Sequence, residues 1–154
     1  MRALRGQRPR GLILAASRVE GPDAVGLQGE LEAFSNMGGR VVVVGPGGGT
    51  ARSVAVDNHG GAAALGAELA GLGYRDAIVL AASEGIRTSD DRVDGFTEGF
   101  SAAGGNVREV RRAGFTRDAG YAAASELLEG DVPAGTLIFG ISDVVAIGIM
   151  SAVR

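Results

Sequence analysis

"SVAVDNHGGAAALGAELAGLGYRDAIVLAA", residues 53–82, reads as a strand, a helix and a second strand in one short span. SVAV and, from Ala77, AIVLAA are apolar runs of strand length, the second with no polar face, as in a parallel strand covered on both sides. Between them Ala62, Leu65, Leu69 and Leu72 recur at i, i+3, i+7 and i+10, the spacing of one helical face. Asp57 or Asn58 stands where an N-cap belongs, and Gly71 with Gly73 supplies the stop.

The same rhythm continues in both directions. Downstream, Val93, Phe96, Phe100 and Ala103 form a helical stripe that Ser89 would cap and Gly104-Gly105 would end. VREV from Val107, a helix over 118–129, TLIFG from Thr136 and a helix from Val144 onward follow. Upstream, GLILAA from Gly11 and VVVVG from Val41 flank a helix over 25–37. Strands that alternate with helices predict an α/β fold of doubly wound parallel sheets with right-handed crossovers.

One loop tests that reading. VVVVG runs into PGGGT, residues 46–50, which has the look of a phosphate-cradling loop. A phosphate loop needs a helix immediately after its glycines, because backbone N–H groups and the helix dipole must converge on the anion. SVAV comes next instead, so the glycines are read as a turn or a crossover between two sheets.

Composition narrows the function. The chain has 154 residues, 45% apolar and 21% charged, and a net charge of −3, which gives no diffuse attraction to DNA or an anionic membrane. It has no cysteine and a single histidine, His59, so a thiolate zinc site and a His-based metal centre are excluded, and no metal or cofactor is expected. All 15 basic residues are arginine, which rules out Schiff-base chemistry and a P-loop lysine in this chain. The basic start resembles a signal peptide, but its apolar run of about six residues is below the roughly 7–15 of an h-region, and a cytoplasmic location is expected. No apolar stretch approaches the roughly 20 residues of a membrane span.

Ligands of open parallel sheets collect beyond the C-terminal strand ends, which directs attention to Asp57-Asn58, the loop 83–92, Phe115 and Ser142-Asp143. With Ser89 as N-cap, Arg92 falls at N3, where a cation is disfavoured unless Asp90 and Asp91 compensate it or a ligand uses its forked donors. Phe115 precedes Thr116, a possible N-cap, and the residue it would staple to is Gly120, which offers no side chain. Asp57, Ser142 and Asp143 read first as ordinary capping and dipole-favoured residues, and His59 as a surface residue. No Ser-His-Asp order, GxSxG elbow or activated carboxylate pair marks a catalyst.

The order of SVAVDNHGG, DDRVDGFTEGF, AGFTRDAGYAAASELLEG and TLIFGISDVVAIGIMSA resembles the effector-binding domain of the LacI/GalR transcriptional regulators, from about Ser53 to the end. GLILAASR and VVVVG are similar to late strands of that family's N-terminal subdomain. The resemblance implies a periplasmic-binding-protein-like fold of type I, with two Rossmann-like subdomains closing on a small effector, often a sugar or a nucleobase. On it, residues 1–52 are the late part of the first subdomain and 53–154 a truncated second one, so the chain is expected to be a fragment without its helix-turn-helix.

The resemblance places effector contacts on Arg92, Phe115, Ser142 and Asp143, with Asp57 at the first crossover. Ser142 stands where asparagine is usual, and AGF replaces GDF, so effector identity does not carry over. A homodimer is implied, with operator DNA bound only through the absent N-terminal domain. A free-standing sugar-binding protein of the same fold, a nucleotide-dependent enzyme using residues 47–49, and a fragment that binds nothing alone remain as alternatives.

Overall fold

The computed structural model describes residues 9–15, 22–45 and 51–154. The chain divides into two compact units, Met1–Val56 and Asp57–Arg154.

In the first unit, β1 (Gly11–Ala15), α1 (Pro22–Asn36), β2 (Arg40–Val44) and β3 (Arg52–Val54) follow one another. The strands form a parallel sheet in the order β1-β2-β3. Leu31 and Phe34, one helical turn apart on α1, close over Val41 and Val43, whose side chains share one face of β2. The other face is thinner: Ile13 is 81% exposed, so β1 is covered on one side where its apolar run suggested two. Ser53 and Val54 lie in this sheet, paired with Val43 and Val44 of β2. The two strands flanking the glycine stretch are therefore neighbours in one sheet and not members of two. The stretch itself, 46–50, lies outside the described residues, and with it the phosphate-loop reading.

The second unit runs α2 (Asn58–Gly71), β4 (Asp76–Ala81), α3 (Arg87–Ala102), β5 (Asn106–Arg112), α4 (Arg117–Leu128), β6 (Leu137–Gly140) and α5 (Asp143–Ala152). Its sheet is parallel, in the order β5-β4-β6. The chain steps from β4 to β5 and then passes back across β4 to β6. Right-handed crossovers in opposite directions place α3 and α4 on opposite faces. Accordingly α2 pairs with α3, and α4 with α5. Central β4 is buried on both sides from Ala77 to Ala81, as its unbroken apolar run requires. Edge strand β5 alternates instead and carries Arg108, Glu109, Arg111 and Arg112, charges that discourage pairing with another chain.

Glycines let the helices approach closely enough to seal the core. A Cβ at Gly95 or Gly99 of α3 would collide with the α2 backbone at His59 or Ala63. Beneath this contact Phe96 stacks on Phe100 at 5.3 Å and on Phe139 at 4.3 Å between ring centroids. Phe96 and Phe100 have no exposed surface; burial of each stabilises the fold by about 1.5–3 kcal/mol, and each stacked pair adds about 0.5–1.5 kcal/mol. Among the described residues no helix is long and apolar enough to cross a membrane.

Candidate functional site

The N-termini of α2, α3, α4 and α5 all lie at the C-terminal end of the second sheet, because each of these helices enters or leaves a parallel strand. Strand order reverses at β4, so the chain leaves the ends of β4 and β6 in opposite directions, at the kind of place where ligands of open parallel sheets bind. Arg92 sits there. Its Nε donates to Asn58 Oδ1 at 2.9 Å, and its Nη1 donates to the Ile141 carbonyl, also at 2.9 Å. Ile141 is itself held against β4 by its own N–H, which donates to the Leu80 carbonyl at 3.1 Å. The half-buried guanidinium thus bridges the start of α2 and the end of β6 through two neutral acceptors.

The position of Arg92 differs from the sequence expectation. Helix α3 starts at Arg87, so Arg92 lies in its second turn, beyond the first-turn dipole cost. Ser89 is not the cap: fully buried, it accepts a hydrogen bond from the Ala82 N–H at 3.1 Å and ties α3 to the end of β4. Neither flanking acid neutralises Arg92. Asp90 pairs with Arg112 at 2.6 Å, and Asp91 approaches Arg87 at 4.0 Å. Among the described residues no carboxylate pairs with Arg92, and its fork has N–H groups beyond the two that Asn58 and the Ile141 carbonyl engage.

The remaining candidates fall around the same strand ends. Thr116 caps α4, accepting from the Ala119 N–H at 3.1 Å. Gly120, at N4, is pressed against the Val145 backbone, so Phe115 has no staple partner and its side chain stays 38% exposed beyond β5. Ser142 occupies the N-cap position of α5 but makes no capping bond. Its Oγ is buried and has no hydrogen-bond partner. Asp143 is exposed in the first turn of α5, favourably placed against the helix dipole. Asp57 caps α2, accepting from the Gly60 N–H at 2.8 Å. His59 points away from this end and pairs with Glu98 of α3 at 3.2 Å.

Two contributors had no local signal. Asn58, in the Asp57-Asn58 pair singled out at a strand end, read first as a cap and not as a partner of Arg92, and the Ile141 carbonyl is a backbone group 49 residues from Arg92 that no side-chain pattern announces. A cavity of about 730 Å³ lies in the first unit, lined by Pro9, Arg10, Phe34, Met37 and residues 38–40. It opens at the N-terminal ends of β1 and β2, opposite to the end where parallel sheets present ligand groups. Among the described residues no three His, Asp or Glu side chains gather as a metal set.

Residues 1–154 match the family model described as periplasmic binding proteins and sugar binding domain of LacI family. Among solved structures, the chain is similar to the Caulobacter myo-inositol binding protein bound to myo-inositol, at 24% identity and a TM-score of 0.79, over 99% of this chain and 53% of that one. It is also similar to a LacI family transcriptional regulator from Enterococcus faecium with bound ribose, at 23% identity and a TM-score of 0.76, over 98% and 55%. The Cra dual regulator from Pseudomonas putida in complex with fructose 1-phosphate gives 20% identity and a TM-score of 0.77, over 98% and 54%. The chain spans about half the length of these structures. No curated protein matches it. The chain belongs to the family of periplasmic binding proteins and LacI-type sugar-binding domains, a family of binding proteins and not of catalysts.

Proposed function

We propose that this chain is the effector-binding region of a LacI-type transcriptional regulator, and that its second unit grips a small carbohydrate at the C-terminal ends of β4, β5 and β6. The observation that carries this reading is Arg92, held at the strand-order reversal by two neutral acceptors, Asn58 and the Ile141 carbonyl, with no carboxylate paired to it among the described residues. Sugar hydroxyls accept from such a fork, each charge-assisted bond contributing about 1.5–3 kcal/mol. Phe115 supplies an apolar wall for a sugar face, and the unpartnered Ser142 Oγ a further polar contact. Asp143 and Asp57 stand at the rim, able to accept from hydroxyls that Arg92 leaves free.

In the intact protein, ligand binding would bias one of two arrangements and so change how a dimer holds operator DNA. A cytoplasmic location goes with that role. The likeness to a myo-inositol binding protein favours a second reading, a solute-binding protein built on the same site. Retention of operator DNA by the full gene product distinguishes the two. The test of the site is a dye-reported thermal melt against ribose, myo-inositol, fructose 1-phosphate, NAD and ATP. A sugar should raise the transition, and Arg92→Ala should weaken its binding at least about tenfold. A shift with NAD or ATP alone, or an unchanged sugar affinity in Arg92→Ala, overturns the reading.

A further inference from the structure

Beside the proposed contacts lies a second guanidinium that none of them uses. Arg112, the last residue of β5, donates through Nη1 to Asp90 Oδ1 at 2.6 Å and to the Ala82 carbonyl at 3.1 Å, while its Nε lies 4.0 Å from the exposed Glu84 carboxylate. Asp90 in turn accepts at its other oxygen from the Gly85 N–H at 3.1 Å, where the loop turns through a positive φ of 80°. Both side chains are about seven-tenths buried, at 27% and 31% exposure, so the pair is screened far less than a surface bridge. Across the same junction the Ser83 hydroxyl donates to the Ala113 carbonyl at 3.4 Å, and the Ala113 N–H donates to the Ala81 carbonyl at 2.9 Å. The loop after β4, the first turn of α3 and the end of β5 are thereby joined by these backbone-directed bonds and by the Asp90–Arg112 pair, the shorter of the two ion pairs that Arg112 makes.

Two proposed ligand groups hang from that junction. Arg92 follows Asp90 on α3, and Phe115 follows Arg112 by three residues, in the short turn that leads to the Thr116 cap. We propose that the Asp90–Arg112 pair is a positioning element that fixes the Phe115 turn against α3 and so sets where the ring stands relative to the Arg92 guanidinium. The pair touches no ligand itself. It holds aromatic wall and cation at one separation, which favours a ligand of matching width and lowers the ordering cost of binding. That consequence for affinity rests on the proposed function; the positioning does not.

The 154-residue chain has no tryptophan, so Phe115→Trp introduces a single reporter whose acrylamide quenching reads how firmly the turn is held without any ligand. In that background Arg112→Met and Asp90→Asn should each raise the quenching constant about twofold by freeing the turn. Arg112→Lys should leave it near the parent value, because one ammonium can make both bonds that Nη1 makes. Glu98→Gln, which breaks the His59 pair elsewhere on α3, should not move it. Should Arg112→Met fail to fold, Asp90→Asn, which keeps an oxygen for the Gly85 N–H, decides alone. Quenching that stays constant in folded Asp90→Asn, or that rises equally in Glu98→Gln, overturns the proposal. With Phe115 restored, ribose affinity should fall about threefold to tenfold in Asp90→Asn. If ribose fails to bind even the unmutated chain while the quenching pattern holds, the functional reading fails and the positioning stands.

Discussion

The two units use the same parts to different ends. In the first, β1, β2 and β3 lie in chain order with no reversal among the described strands, and four buried apolar residues form the cluster beneath α1. In the second, the order β5-β4-β6 reverses, helices pack on both faces, and among the described residues eleven buried ones surround the five of β4. The reversal does two things at once. It puts β4 in the middle, where an unbroken apolar strand is stable, and it sends the chain away from the paired ends of β4 and β6 in opposite directions, so that polar groups from distant segments can meet there. Core and site therefore come from one topological event, and the polar groups stand at the ends of the strands that build the core.

The sharpest way to break this comparison is at the core. Phe96→Ala should cost the second unit about 3–5 kcal/mol in urea unfolding, because it empties a stacked, fully buried position. Ile13→Ser in the first unit should change stability by less than about 0.5 kcal/mol, since that side chain already faces water. Equal costs would mean that β4 is not the centre of gravity of the fold.

A smaller effect separates capping from binding. Asp57→Ala should lower stability by about 1 kcal/mol through loss of the α2 cap, and Asp57→Asn should recover most of it. If Asp57 also touches the sugar, affinity falls in both variants by calorimetric titration, whereas a purely capping role leaves the affinity of Asp57→Asn at the parent value.

The smallest stability effect is the most discriminating. Ser142→Ala removes a buried hydroxyl without a partner, so folding stability should hold within about 0.5 kcal/mol or improve. Sugar affinity should nonetheless drop about twofold to tenfold, the value of one neutral hydrogen bond. Parallel changes in melting temperature and affinity would instead make Ser142 an ordinary structural residue.

Much of this was legible before the structure. The ladder Ala62, Leu65, Leu69, Leu72 with Asp57 or Asn58 as its cap marked α2 as a helix but not its buried face, which is Ala62, Gly66 and Ala70, while Leu65 and Leu72 are exposed. The run from Ala77 marked β4 because a strand buried on both faces has no polar positions. Ser89 misled, since a serine ahead of an apolar stripe looks like a cap even when its hydroxyl turns inward to Ala82. The cost assigned to Arg92 came from that error, and its true partners are a carbonyl and an amide that only the fold brings within reach. Phe115 was readable in a different way: the glycine at its staple position predicted a ring without a local partner, and the ring is exposed. Strand order, which brings the site together, leaves no trace in local pattern, because helix and strand periods do not record which neighbour a strand chooses.

The most direct test of the central claim is a two-dimensional NMR titration of the 15N-labelled chain with ribose and myo-inositol. Amide shifts should change at Asn58, Arg92, Phe115 and Ser142, converging on the ends of β4 and β6, and Arg92→Ala should abolish the pattern. Shifts confined to the cavity at Arg10 and Arg40 of the first unit, or a pattern that survives Arg92→Ala unchanged, would contradict that claim.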